Sequence, residues 1–171
     1  MKPKTQAHAC VRCGVRDHDP MRHLITQTME INMGLDQYAF SSHEPLYEGS
    51  DGEGRTMLKP AVTTEFIWRK HAKLQEFMEN LYFKGEYQGV READVSEGLN
   101  CNPMLLDEKA IDALETCVKG GKLPKSGGGF FYGDKYQDES ASDYKEQDLK
   151  FCKWAREEMK AKQHVYYDCW W

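Results

Sequence analysis

Apolar residues recur with helical spacing in three stretches of the chain. Over 66–83, Ile67, His71, Leu74, Met78 and Leu81 fall at i, i+4, i+7, i+11 and i+14, which is one face of a helix. Gly85 then supplies a helix stop. Over 108–119, Ile111, Leu114 and Val118 make a buried stripe. Asp107 is placed to cap its start, and Gly120–Gly121 to end it. Over 142–162, Tyr144, Phe151, Ala155 and Met159 line one side. Period-two patterning predicts strands at 35–40, 103–106, 128–132 and, most clearly, 164–170. In the last, Val165, Tyr167, Cys169 and Trp171 alternate with His164, Tyr166, Asp168 and Trp170.

The irregular mixing of these elements predicts an α+β fold: a small, mostly antiparallel sheet with three helices, plus a short N-terminal extension. Residues 43–60 read as a loop because Gly, Ser, Asp and Pro dominate them. Residues 86–100 read the same way, with Tyr87 and Val90 able to pack. Regular patterning begins at Met33, which divides the chain into a polar 1–32 segment and a single domain over 33–171.

Charge follows the same division. Residues 1–32 hold five Lys/Arg against three Asp/Glu, and residues 33–171 hold eighteen against twenty-five. The net charge of −5 excludes a general polyanion binder. Nucleic acid is therefore not expected on the acidic domain and is left open only for the extension. No run approaches the ~18 apolar residues of a membrane span, and no apolar run follows the basic start, so a cytoplasmic protein with reduced thiols is expected.

From Met33 onward the motifs form an ordered series. It opens with Met33-Gly34-Leu35-Asp36-Gln37-Tyr38 and continues with Trp68-Arg69-Lys70-His71-Ala72 and Asn100-Cys101. Leu123-Pro124-Lys125 then leads into Gly129-Phe130-Phe131-Tyr132-Gly133. The series closes with Lys145-Glu146-Gln147-Asp148-Leu149 and Val165-Tyr166-Tyr167-Asp168-Cys169-Trp170-Trp171. Over 33–171 the chain resembles a family of tailed-bacteriophage and bacterial proteins with no established activity. It departs from that pattern at Glu76-Phe77, where Gly-Trp is usual, at the three glycines 127–129, and at Cys169, where Ser is usual. The resemblance implies a phage-type protein acting in the host cytoplasm.

Four constellations carry candidate chemistry. Cys10, Cys13, His18 and His23 form C-x2-C-x4-H-x4-H, close to a zinc knuckle, with Gly14 for the tight turn and His8 as a spare ligand. The competing reading is an unstructured extension. Base readout is disfavoured, because the aromatic platform of an RNA-binding knuckle is missing.

With a helix beginning near Trp68, Arg69, Lys70 and His71 fall in its first turn, where cations are unfavourable unless an anion offsets them. A phosphorylated ligand is one such anion. Asp148, on the apolar side of the third helix, is another, and an Arg69–Asp148 ion pair is the preferred structural expectation. His71 with Asp148 or Asp168 is the acid–base alternative.

Ser126 to Gly129 reads as a turn rather than a phosphate loop, since no Lys-Ser/Thr follows. Tyr166, Asp168 and Trp170 share the second face of the last strand. They form either an exposed aromatic–acidic recognition stripe or the buried back of a covered sheet.

The leading functional expectation is a non-enzymatic, host-modulating protein that binds a host or phage protein. The alternative is a small enzyme or binding protein for a phosphorylated ligand.

Overall fold

The computed structural model describes residues 34–50, 53, 56–91, 98–127 and 144–171. The architecture is α+β. Strands β1 (Asp36–Ser42), β2 (Tyr47–Ser50), β3 (Thr56–Lys59) and β4 (Thr64–Arg69) precede helix α1 (Ala72–Phe83). Strand β5 (Met104–Leu106), helix α2 (Glu108–Gly120), helix α3 (Lys145–Lys160) and strand β6 (His164–Trp170) follow. The main sheet has the order β4-β1-β6-β5 and is antiparallel throughout, while β2 and β3 form a separate hairpin.

Alternation along the strands gives the sheet two faces. The inner face presents Leu35, Ala39, Trp68, Met104, Val165, Tyr167 and Cys169. The three helices cover it with Leu74, Met78, Ile111, Leu114, Phe151 and Ala155, all buried. The opposite, outer face carries Phe40 and Tyr166, stacked with ring centroids 5.8 Å apart, under Leu46, Val62 and Val90.

Helix α2 follows its sequence closely. Asp107 caps it by accepting from the Ala110 N–H at 2.8 Å, and Gly121 ends it in the left-handed region at φ 62°. The last strand spans His164–Trp170, as its alternation predicts.

Two expectations need correction. The segment over 66–83 is not one helix: its start belongs to strand β4, and the helix begins at Ala72. Phe66 and Trp68 point into the core, whereas Ile67 is exposed, so the residue that opened the presumed helical face lies on the other side of a strand. The chain turns at Lys70, whose φ is 59°, and then at His71, whose φ −78°, ψ 75° and Ala72 N–H to Lys70 O bond at 2.9 Å form an inverse γ-turn. The second correction concerns 43–60, which contains the β2–β3 hairpin. Its polar, glycine-bearing composition hides Leu46 and Leu58, both buried.

The cover of the outer face continues through residues 89–91. The Asn102 side-chain amide accepts from the Arg91 N–H at 2.9 Å and donates to the Arg91 carbonyl at 3.2 Å. It thereby acts as one rung of a ladder beside β5, where Val90 also donates to the Pro103 carbonyl. The strand predicted at 128–132 lies outside the described residues.

Candidate functional site

The γ-turn decides where His71 points. Its ring turns inward, fully buried, and its Nδ1 accepts from the Leu74 N–H at 3.4 Å, which makes it the N-cap of α1. A nitrogen that accepts from an N–H carries a lone pair, so the ring hydrogen sits on Nε2. That nitrogen lies 3.0 Å from Oδ2 of Asp148. The other carboxylate oxygen of Asp148 accepts from the Trp68 indole N–H at 2.9 Å. Asp148 stands near the start of α3, where a carboxylate also suits the positive end of the helix. Tyr144 stacks on the His71 ring at 4.7 Å between centroids, and its hydroxyl donates to the Arg69 carbonyl at 2.7 Å.

A second polar chain runs beside this pair. Gln37 clasps the His71 backbone, accepting from its N–H at 2.9 Å and donating to its carbonyl at 3.2 Å. Gln37 also donates to the Tyr167 hydroxyl at 2.8 Å, which donates onward to Gln75 Oε1 at 2.7 Å. The Gln75 amide then donates to Glu79 and to Cys169 Sγ. Burial pushes the Tyr167 hydroxyl and the Cys169 thiol well above their ordinary pKa ranges, and raises Glu79. Every side chain in this chain has found a partner, which is what a buried polar network needs to be stabilising.

The expected Arg69–Asp148 pair gives way to two others. Arg69 lies on the outer face of β4, opposite Asp36 in register, and its Nη1 is 3.0 Å from Asp36 Oδ1. Asp148 is held by His71 and Trp68 instead. With the helix starting at Ala72, neither Arg69 nor Lys70 occupies its first turn, so the charge conflict that called for an anion is gone. Lys70 serves the turn through its backbone, donating to the Leu35 carbonyl at 2.8 Å.

Near the N-termini of α1 and α3, Lys73 and Lys145 line a cavity of about 60 Å³ with Val118, Gly121, Leu123 and Asp148. Lys145 Nζ also reaches toward the Lys119 carbonyl at the end of α2, 3.5 Å away. A carboxylate in the wall and a lysine turned toward helix carbonyls make this a poor phosphate pocket.

The aromatic–acidic set of β6 is divided by the cover that Leu46, Val62 and Val90 lay over Phe40 and Tyr166. Tyr166 is buried, and its hydroxyl accepts from the Leu46 N–H at 3.0 Å. Asp168 is buried opposite Tyr38, while Trp170 is 46% exposed opposite Asp36. The stripe is therefore covered at Tyr166 and Asp168 and open at Trp170. Ile67, 53% exposed, lies across β1 from Trp170 on the same face. Strand and residue spacings put their Cα atoms roughly 12 Å apart, with the Asp36–Arg69 ion pair between them.

Among the described residues no group of His, Cys, Asp and Glu is arranged to hold a metal, and Cys10, Cys13, His18 and His23 lie outside those residues. Of the glycine segment, Ser126 is buried and the Gly127 N–H meets Glu76 Oε2 at 3.3 Å. Among the described residues no helix is long and apolar enough to cross a membrane.

Sequence reasoning missed Gln37, Gln75, Trp68 and Tyr144 as members of the buried network. Gln37 carried a signal: it sits on the inward phase of β1 between Leu35 and Ala39, where a polar side chain needs a partner. Searches of protein-family models, curated proteins and solved structures find no match to the chain.

Proposed function

We propose that the chain is a non-enzymatic cytoplasmic protein that binds a host or phage protein through the open end of its outer sheet face. The carrying observation is the half-exposed Trp170, set diagonally from the exposed Ile67 with the Asp36–Arg69 pair between them. Large apolar side chains flanking a charged pair on one strand surface suit recognition, where aromatic anchors dominate binding energy. The buried titratable groups support the same reading. Both nitrogens of His71 and both oxygens of Asp148 are committed to the fold, so this pair offers no base or nucleophile to a substrate. The phage-type resemblance over 33–171 agrees with a small host-modulating binder.

The test is paired affinity capture from host lysate with wild-type protein and an Ile67→Ser, Trp170→Ser variant, followed by reconstitution with the purified partner. A stoichiometric partner that the folded variant loses is expected. A partner held equally by both proteins would place binding elsewhere. A melting-temperature rise with nucleotides or phosphate would favour the phosphorylated-ligand alternative.

A further inference from the structure

The chain enters β1 at the open end of the outer face. Asp36, the first residue of that strand, stands opposite Trp170 of β6 on one side and Arg69 of β4 on the other. Gly34 and Leu35, just before it, are buried, and the Leu35 carbonyl accepts from the Lys70 N–H at 2.8 Å. The sequence that precedes Gly34 is therefore tethered beside Trp170 and Arg69.

Other apolar ground near this point is taken. The inner face lies under the three helices, and the outer face around Phe40 and Tyr166 lies under Leu46, Val62 and Val90. Trp170 and Ile67 remain, each about half-exposed. Large apolar side chains that share one open face are the kind of surface a binding segment covers.

A matching segment adjoins the domain in sequence. Residues 24–32 carry Leu24, Ile25, Met29 and Ile31 and no lysine or arginine, whereas residues 1–23 hold all five of the extension's Lys/Arg. Met29 and Ile31 are two residues apart, so an extended chain presents both on one side. Nine extended residues reach roughly 30 Å, against the roughly 12 Å between Trp170 and Ile67.

We infer that residues 24–32, which lie outside the described residues, lie across the open end of the outer face when no partner is bound, with Met29 and Ile31 on Trp170 and Ile67. A tethered segment needs little affinity of its own, because its effective concentration at the face is about millimolar. A partner protein then binds by displacing it, which makes the extension a built-in competitor for the face. That regulatory use rests on this face being the binding face, but the test needs no partner, so the two ideas can fail separately.

The test is hydroxyl-radical footprinting of the full chain, read residue by residue by mass spectrometry, on wild type and a Met29→Asp, Ile31→Asp variant. Labelling of Trp170 and Ile67 is expected to rise about threefold or more in the variant, while Phe83, exposed on α1, labels equally in both. The reciprocal variant is Ile67→Ser, Trp170→Ser under dilute hydrogen peroxide. In it Met29 should oxidise about threefold faster or more than in wild type, with Met21 unchanged. Melting temperatures confirm that each variant is folded.

Equal labelling of Trp170 in wild type and variant would overturn the inference, as would Met29 oxidation indifferent to the loss of Ile67 and Trp170. Protection of Trp170 that survives Met29→Asp, Ile31→Asp but vanishes on dilution would assign the cover to a second copy and likewise overturn it. If the footprints are unchanged while Ile67→Ser, Trp170→Ser loses the captured partner, the binding face stands and the tethered cover falls. If the footprints shift and the partner is held, the cover stands and the binding face falls.

Discussion

His71 donates through Nε2 to Asp148 across 3.0 Å, and neither side chain reaches solvent. This bond ties the turn before α1 to the first turns of α3, far apart in sequence. It carries structure: breaking a buried, hydrogen-bonded pair leaves the survivor without its partner.

Asp148→Ala is therefore expected to lose about 3–5 kcal/mol of stability, measured by urea denaturation. His71→Ala should lose a similar amount, since it also removes the cap of α1. In a double-mutant cycle the two losses should be far from additive. Independent losses would show that the pair is not coupled.

Asp168 gives a pH dependence of definite sign. Its folded pKa of about 7 lies above the ordinary 3.8, so the folded protein holds a proton that the unfolded chain has released. The stability this contributes is complete below about pH 4 and disappears as pH rises through about 7. Thermal melts of wild type and Asp168→Asn should diverge over that window, with the variant the more stable at pH 8. Parallel curves would refute the burial argument. Asp107 and Glu115, whose pKa values are lowered, act with the opposite sign but are common to both proteins and cancel in the difference.

Gly89 lies against the Asn102 side chain, and a methyl group there would collide with that amide. Gly89→Ala should displace the rung that holds Arg91 and cost about 1–3 kcal/mol. Hydrogen exchange at Val90 and Arg91 should accelerate more than exchange in α2. Unchanged protection at these amides would mean that Asn102 can move without loss.

Thiol reactivity should divide by burial. Cys152, pushed up to about 12, and Cys169, pushed well above its usual range, are buried, while Cys117 is half-buried. Iodoacetamide followed by mass spectrometry should modify Cys117 well before Cys152 or Cys169 in the folded protein. Early labelling of Cys169 would argue against the closed polar network around it.

The strongly periodic elements were legible in the sequence. Asp107 and Gly121 bound α2, and alternation fixed β6 to the residue. Failures came where two periods overlapped. Ile67, His71, Leu74 and Met78 keep helical spacing, yet Thr64–Arg69 pairs as a strand, because inward Phe66 and Trp68 find partners in Phe151 and Trp154 that no local pattern can announce.

The buried partnership was half visible. Asp148, on an apolar stripe, demanded a partner, but choosing His71 and Trp68 over Arg69 depended on which side of β4 each residue occupies. Shifting the helix start from 66 to 72 moved Arg69 to the opposite face from Asp148. Alternation along β6 shows that Asp168 and Trp170 share a face; how far that face is covered follows from the long-range packing of Leu46, Val62 and Val90 on Phe40 and Tyr166.

The side chains of α3 and of Tyr144, the residue before it, also decide how this domain can meet its neighbours. Gln147 donates to the Ile67 carbonyl at 2.8 Å and Tyr144 to the Arg69 carbonyl, so two outward acceptors of β4 are already engaged. An incoming strand would have to evict these donors before it could add to the sheet at that border. At the other border, residues 89–91 run alongside β5. Ribbon-by-ribbon growth, the usual hazard of a small open sheet, is thus obstructed at each margin of the main sheet, and among the described residues the surface carrying Trp170 can be approached at no cost in the sheet's own hydrogen bonds.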